Sequence, residues 1–252
     1  MVSSANAGVM YNYLDGVVGI STSHIWAVGY SQANFGGPSQ TLIERWNGTS
    51  WRVVSSPNPG SNLNQLDGVA AVSARNIWTV GFSSNGVYGH TLIEHWDGMN
   101  WSVITSPNPG AAGNGLIGVT VLSASNIWAV GAYSNTGNVG SDQTLIDHWD
   151  GTSWSIVSSP NVASSGNDLV SVSAVSANNI WAVGNSFNSK TFSGKTLIEH
   201  WNGTRWSIVS SPNVGSEGNI LNGVTNVPGT SDAWTVGFYQ SNGTRTLTEF
   251  YC

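Results

Sequence analysis

Charged side chains, cysteines and long apolar runs are all scarce in this 252-residue chain. Charged residues make up 8% of the sequence and hydrophobic residues 40%, so solubility depends on Ser, Asn, Thr and Gly. The 7 Lys and Arg residues against 13 Asp and Glu residues give a net charge of −6, the wrong sign for neutralising phosphate groups. We therefore do not expect nucleic acids or anionic membranes as partners.

Cysteine is represented only by Cys252, which excludes an intramolecular disulfide and a cysteine-based metal cluster. The sequence leaves two alternatives for this thiol. It joins two molecules, or it stays reduced and has no role. No apolar run approaches the roughly 20 residues that span a bilayer, so we expect no membrane insertion. Residues 1–14 lack the basic start and apolar stretch of a signal peptide.

A repeated segment dominates what is present. Ile-Trp-Ala-Val-Gly at 25–29 returns four more times with small changes, and its tryptophans are 52, 50, 53 and 53 residues apart. They are Trp26, Trp78, Trp128, Trp181 and Trp234. Downstream, a second pair of tryptophans brackets a short turn, as Trp46 and Trp51 do around Asn-Gly-Thr-Ser. A period of about 50 residues predicts a repeat architecture.

Each unit is predicted to form four short strands and no helix. In the first unit these strands fall at 16–21, 24–30, 41–46 and 51–55. Asn-Gly or Asp-Gly between the third and fourth strands accepts positive φ and favours a tight hairpin. Four strands in about 50 residues is the size of a propeller blade. The sequence therefore predicts an all-β, five-bladed β-propeller of four-stranded antiparallel blades.

The two ends of the chain fall within one blade. Residues 1–8 align with 53–60, at a fourth strand, and residues 246–252 align with 41–47, at a third strand. We expect the N-terminal strand to complete the last blade and close the ring, because closure leaves no open sheet edge. An open solenoid and a piece of a larger ring are the alternatives. One domain, 1–252, is expected, with units at about 14–65, 66–115, 116–168, 169–220, and 221–252 plus 1–13.

The Ile-Trp-Ala-Val-Gly segment and the Thr-Leu-Ile-Glu-His-Trp pattern resemble the Trp-rich propeller repeats of bacterial extracellular proteins. They are distantly similar to kelch-type blades, although the paired glycines of kelch are missing. The blade number and size are similar to those of five-bladed tachylectin-type lectins, although no residue matches that family's sugar-binding motif. The resemblance implies an extracellular or cell-surface propeller and, by analogy of fold alone, carbohydrate binding.

Two ionisable series repeat with the blades. A carboxylate occupies one position of every third strand, and we expect these to be structural, with a repeated ligand contact as the alternative. They are Glu44, Glu94, Asp147, Glu199 and Glu249. Three of the five next positions carry His95, His148 and His200. Equivalent residues on different blades diverge around a ring, so neither a metal site nor a cofactor is expected.

Most of the tryptophans are expected in the core between blades, with turn residues such as Trp46 and Trp51 partly exposed. Function is expected where the repeats differ, on loops that share one face of the propeller. These loops combine Asn, Ser and Gly with one aromatic side chain per blade, as neutral polar ligands require. The candidate ligand-binding residues are Tyr30, Phe82, Tyr133, Phe187, Tyr239, Asn58, Asn108, Asn161 and Asn213.

The first functional hypothesis is a non-enzymatic, multivalent carbohydrate-binding propeller without catalytic residues, whose partners are glycans. A scaffold that binds a protein surface through the same loops is the alternative. A glycoside hydrolase is a third, less favoured hypothesis, because five equivalent carboxylates give no acid–base asymmetry. The carboxylates that it would enlist are Asp15, Asp67, and Asp168 or Glu217.

Overall fold

A computed structural model describes residues 2–138, 140–162 and 166–252. These residues form nineteen β-strands in five antiparallel sheets, which are the blades of a β-propeller. Blade 1 contains β1 (Tyr11–Ser21), β2 (His24–Gln32), β3 (Ser39–Trp46) and β4 (Trp51–Val54). Blade 2 contains β5 (Leu63–Ser73), β6 (Asn76–Ser84), β7 (Gly89–Trp96) and β8 (Trp101–Val103).

Blade 3 contains β9 (Gly113–Ser123), β10 (Asn126–Ser134), β11 (Gln143–Trp149) and β12 (Trp154–Ile156). Blade 4 contains β13 (Gly166–Ser176), β14 (Asn179–Asn188), β15 (Ser193–Trp201) and β16 (Trp206–Ile208). Blade 5 contains β17 (Gly218–Asn226), β18 (Ala233–Gln240) and β19 (Thr244–Tyr251). The all-β prediction and the repeated antiparallel blade are confirmed.

The glycine of the repeated segment is required by close packing inside each blade. A Cβ atom on Gly29 of β2 would overlap the carbonyl oxygen of Tyr13 on β1. The same overlap would occur at the four equivalent glycines. Any larger residue would therefore push the first two strands of a blade apart.

The core lies between blades and is built by the repeated tryptophans. Trp26 of blade 1 is fully buried and its ring lies 5.0 Å from that of Trp96 and 5.5 Å from that of Trp101, both in blade 2. Trp78 and Trp128 make the same contact with the next blade, and Trp181 contacts Tyr251 of blade 5 at 5.4 Å. The expectation that most tryptophans are core residues is confirmed.

The innermost strands begin earlier than the sequence pattern predicts. β1 starts at Tyr11 rather than at 16, and a β-bulge between Leu14 and Gly16 interrupts the alternation of buried and exposed residues. The same bulge occurs in the innermost strand of every blade. A bulge redirects side chains at the rim of a sheet, and here its extra residue is Asp15 in blade 1 and Asp67 in blade 2.

The expected closing strand is not found in the described residues. Blade 5 has three strands, and residues 2–10 form no strand with β19. Instead, the Ser4 hydroxyl donates hydrogen bonds of 2.8 and 2.7 Å to Glu44 of blade 1, and the backbone N–H of Asn6 donates one of 3.0 Å. The N-terminal segment therefore lies against blade 1, where the exit loop of a preceding blade would lie, and does not extend blade 5.

Candidate functional site

The innermost strands β1, β5, β9, β13 and β17 pack beside one another in that order, and we call the end at which these strands begin the axial mouth. The residue before the repeated leucine of each innermost strand lies near this end of the strand. Those residues are Tyr13, Gln65, Gly115, Asp168 and Ile220. Each is paired on the second strand of its blade with Tyr30, Phe82, Ala132, Asn185 and Phe238, respectively. The mouth is therefore asymmetric although the blades are repeats.

A cleft of about 630 Å³ opens at this mouth between blades 3 and 4, and we call it the blade 3–4 cleft. It exists because blade 3 carries Gly115 and Ala132 at the two positions where blade 2 carries Gln65 and Phe82. The side chains that line it include Asn114, Tyr133, Asp142, Asp168, Asn185 and Phe187. Its size and mixed aromatic and polar lining are typical of small-molecule sites.

Two carboxyl groups, those of Asp168 and Asp142, share this cleft. Asp168 is placed by β13, and burial, with a smaller contribution from the charge of Asp142, raises its pKa to about 6. Asp142 precedes β11, and its backbone carbonyl accepts a hydrogen bond of 2.9 Å from the N–H of Asn167. The cleft therefore holds one carboxyl group that is protonated in mild acid beside a second carboxyl group.

A second pair of carboxyl groups lies in the bulges of blades 1 and 2. Burial is the main cause that raises the pKa of Asp67 to about 6, and it also raises the pKa of Asp15. Gln65 donates a hydrogen bond of 2.6 Å to Asp67 Oδ1, while Asp67 Oδ2 has no partner among the described residues. The rings of Tyr13 and Tyr30 stack nearby, with centroids 4.8 Å apart.

The five aromatic residues predicted from the loops occupy different environments. Tyr133 and Phe187 line the blade 3–4 cleft, and Tyr30 stacks on Tyr13. Phe82 lies beside Gly115, and Tyr239 packs against the core between blades 4 and 5. The position along the strand explains these differences. Tyr133 and Tyr239 lie one residue after the position that Tyr30 and Phe82 occupy in blades 1 and 2, so their side chains point to the opposite face of the blade.

The four predicted asparagines have exposed side chains that anchor exit loops. Asn58 Oδ1 accepts a hydrogen bond of 2.7 Å from the backbone N–H of Thr41. Asn108, Asn161 and Asn213 accept equivalent bonds of 2.8, 2.9 and 2.9 Å. Each side chain thereby fixes the loop after the fourth strand to the start of the third, and its role toward a ligand stays a prediction.

The strand-three carboxylates are buried in all five blades. Glu44 accepts hydrogen bonds from the N-terminal segment, and Glu249 accepts them from Ser211 and Tyr251. The three intervening carboxyl groups have no hydrogen-bond partner among the described residues. Burial raises their pKa values, to about 8 for Glu94, about 7 for Asp147 and about 8 for Glu199.

The repeated histidines have a structural environment. His95 stacks on Trp78 at 4.3 Å and its Nε2 lies 3.0 Å from Asn76 Oδ1. His148 and His200 repeat both contacts, and burial lowers the pKa of all three. Within residues 2–138, 140–162 and 166–252, no three His, Cys, Asp or Glu side chains are arranged to hold a metal ion. The same residues contain no helical segment with the length and apolarity needed to cross a bilayer.

Asp142 and Asn185 were missed by the sequence analysis. Asp142 lies in a loop whose length varies between blades, and nothing in the repeat pairs it with Asp168 of the next blade. Asn185 did carry a signal, because it replaces the aromatic residue found at the same position in blades 1 and 2. A residue that differs from its equivalents in the other blades is therefore the sequence signal for this site.

No protein-family model and no curated protein matches the sequence. The fold is similar to solved propellers of low sequence identity. The α-L-arabinanase of Penicillium chrysogenum, complexed with arabinobiose, matches with a TM-score of 0.62 and 10% identity, over 92% of this chain and 77% of that one. The GH93 α-L-arabinofuranosidase of Fusarium graminearum, also complexed with arabinobiose, matches with a TM-score of 0.60 and 12% identity, over 93% of this chain and 77% of that one.

YCF48 bound to D1 peptide matches with a TM-score of 0.52 and 14% identity, over 88% of this chain and 60% of that one. The chain therefore spans less than two thirds of the length of YCF48. At these identities, the likeness concerns the fold.

These comparisons correct three expectations. The prediction of a non-enzymatic lectin is wrong, because the propellers that share this fold include an arabinanase and an arabinofuranosidase complexed with sugar. The prediction that the chain is not an enzyme is wrong on the same finding. These structural neighbours are also neither kelch nor tachylectin proteins, so only the β-propeller part of the resemblance is supported.

Proposed function

We propose that this chain is a carbohydrate-active propeller that hydrolyses a glycosidic bond in the blade 3–4 cleft. The observation that carries the proposal is the pairing of Asp168 and Asp142 inside a cleft of about 630 Å³. Glycosidases use two carboxyl groups whose environments separate their pKa values. Five equivalent carboxylates offer no such asymmetry, whereas in this cleft burial raises the pKa of Asp168 to about 6 and a second carboxyl group, that of Asp142, lies beside it.

Asp168 is assigned as the general acid and Asp142 as the general base. Asp168 gives its proton to the glycosidic oxygen as the bond from that oxygen to the anomeric carbon breaks. A water molecule attacks the same carbon and gives a proton to Asp142. The two product saccharides together contain the atoms of the substrate and of one water molecule, so atoms and charge balance.

The rest of the cleft is assigned to substrate binding. The ring faces of Tyr133 and Phe187 provide apolar surface for a sugar, and the amide of Asn185 offers both a donor and acceptors to hydroxyl groups. Asn114 is held in place by its own hydrogen bonds to Gly110 and Gly89, so it shapes the wall. This lining favours a neutral saccharide.

Arabinose-containing saccharides are the first substrates to test, because arabinobiose is the ligand named for two propellers of the same fold. An extracellular or cell-surface location goes with such a substrate, and it forms part of the proposal.

The test is the release of sugar from arabinobiose and arabinan, followed by anion-exchange chromatography. The wild-type protein should release arabinose or oligosaccharides. Asp168→Asn should lower the rate at least a hundredfold while thermal unfolding changes little, because loss of a general acid costs about 10²- to 10⁴-fold. Asp15→Asn is the matched control, since it removes a carboxylate at the same mouth but outside the cleft. Equal activity of the wild type and Asp168→Asn, or no release by either, would overturn the proposal.

A further inference from the structure

Blade 5 presents an apolar face that is covered in every other blade. The side chains of Trp234, Val236 and Phe250 are 45%, 51% and 48% exposed. In blades 1–4, the tryptophan and valine at these positions are buried against the following blade. Blade 5 therefore carries the residues of a blade junction without a following blade on them.

Blade 1 presents the complementary face of a junction. Leu14 and Val17 of β1 are 44% and 68% exposed, although the equivalent leucine is fully buried in each of the other blades. Trp51 is only half-buried, whereas the equivalent Trp101, Trp154 and Trp206 are buried. Together with Val2, these side chains line a pocket of about 320 Å³.

The two faces do not cover one another. A Cβ atom on Gly16 would lie 2.9 Å from the Asp67 carbonyl oxygen, and one on Gly68 would lie within contact of the Ile117 carbonyl oxygen, so successive innermost strands touch. The same atom on Gly223 of blade 5 would meet only Val236 of its own blade, at 3.4 Å. Among the described residues, the ring is thus open between blades 5 and 1.

The N-terminal segment shows how a neighbour would join blade 1. Ser4 donates to Glu44 just as Ser211, in the exit loop of blade 4, donates to Glu249 of blade 5 at 2.9 and 2.8 Å. Residues 4–6 therefore already occupy the exit-loop position of a blade that would precede blade 1.

We propose that the two open faces form a binding site for one further β-blade of the same repeat. Toward blade 5 this blade offers an innermost leucine and a hairpin tryptophan, because those residues cover Trp26, Trp78 and Trp128 at the internal junctions. Toward blade 1 it offers the tryptophan and valine of a second strand. The internal junctions thus define the chemistry of this further blade on both sides.

The size of related propellers agrees with one additional blade. The chain aligns over 92% and 93% of its own length with two propellers of which it covers only 77%. The fold therefore accommodates more chain than residues 1–252 provide. A second copy of this chain fits less well, because it would bring five blades to a gap between two blades.

The experiment appends a copy of residues 47–96 after Tyr251, in place of Cys252. By repeat alignment, copied residues 51–54 complete blade 5 and copied residues 63–96 form the next blade. We expect a higher thermal midpoint and slower amide hydrogen exchange in β18. The matched control carries Ser at the copies of Leu66 and Leu92, which face the preceding blade, and it should show neither gain.

A second variant separates docking from simple tethering. Trp234→Ser should change the thermal midpoint little in the original chain, because that side chain is half exposed. In the extended chain, the same substitution should remove most of the gain. An extended chain with the original midpoint and unchanged exchange in β18, or equal gains in the serine control, would overturn the proposal.

Discussion

Glu94 provides a sharp test of how the blade junctions depend on pH. The side chain is fully buried without a hydrogen-bond partner among the described residues, and burial raises its pKa from 4.5 to about 8. The folded protein therefore binds a proton between these pH values that the unfolded chain releases. The contribution of Glu94 to the free energy of unfolding is therefore largest below pH 4.5, and it is lost as the pH rises to about 8.

The magnitude follows from the pKa values. At about 1.4 kcal/mol per pKa unit, fully ionising Glu94 within the fold costs about 5 kcal/mol, and about 4 kcal/mol of this is lost by pH 8, where half of the folded carboxyl groups are ionised. Glu94→Gln keeps the shape and removes the charge. We expect the variant to equal the wild type near pH 4.5 and to exceed it by up to about 4 kcal/mol near pH 8. Urea unfolding at the two pH values measures both differences.

Glu44→Gln is the matched control at the same position of blade 1. Glu44 accepts hydrogen bonds from Ser4, Ala5 and Asn6, so the substitution weakens these bonds and should cost about 1 kcal/mol rather than stabilise the fold. If Glu94→Gln shows the same pH dependence as the wild type, or is destabilised at both pH values, the reasoning about buried carboxyl groups is refuted.

Three further outcomes are expected. Hydrolysis should fall about tenfold per pH unit above pH 6, because Asp168 must keep its proton, and a pH–rate profile that rises to pH 8 would contradict this. Asn58→Ala should cost about 1 kcal/mol in urea unfolding without altering hydrolysis, since the side chain anchors a loop outside the cleft. Trp128→Ala should cost about 3–5 kcal/mol by the same assay, and Trp234→Ala much less, because Trp128 is buried and Trp234 is 45% exposed; similar costs would contradict the open face.

Much of the fold could be predicted because it repeats. The recurring glycine marks where the first two strands of a blade touch, and the recurring tryptophan marks the junction core, so blade number and strand order follow from spacing. The ring closure could not be predicted in the same way. Alignment shows that residues 1–8 resemble an exit region, but it does not say on which blade they lie, and Ser4 bonds to Glu44.

The candidate cleft was predicted only in part, because it depends on what the repeat lacks. The chemistry of Tyr133 and Phe187 predicts a ligand site, but the cleft beside them comes from the small Gly115 and Ala132. Asp142 reaches the cleft from a loop and meets Asp168 only across a blade junction. Such a meeting depends on loop conformation, which neither spacing nor periodicity reveals.

The most direct measurement is a calorimetric titration of arabinobiose into Asp168→Asn protein, with and without Ala132→Phe. Blade 2 carries Phe82 at the same position, and the cleft of about 630 Å³ beside Ala132 has room for the added ring, so the ring should fill the cleft without unfolding blade 3. We predict binding at one site per chain and its loss when Ala132→Phe is present. Undiminished binding in the blocked protein, or no binding in either, would contradict the assignment of the blade 3–4 cleft as the site of saccharide hydrolysis.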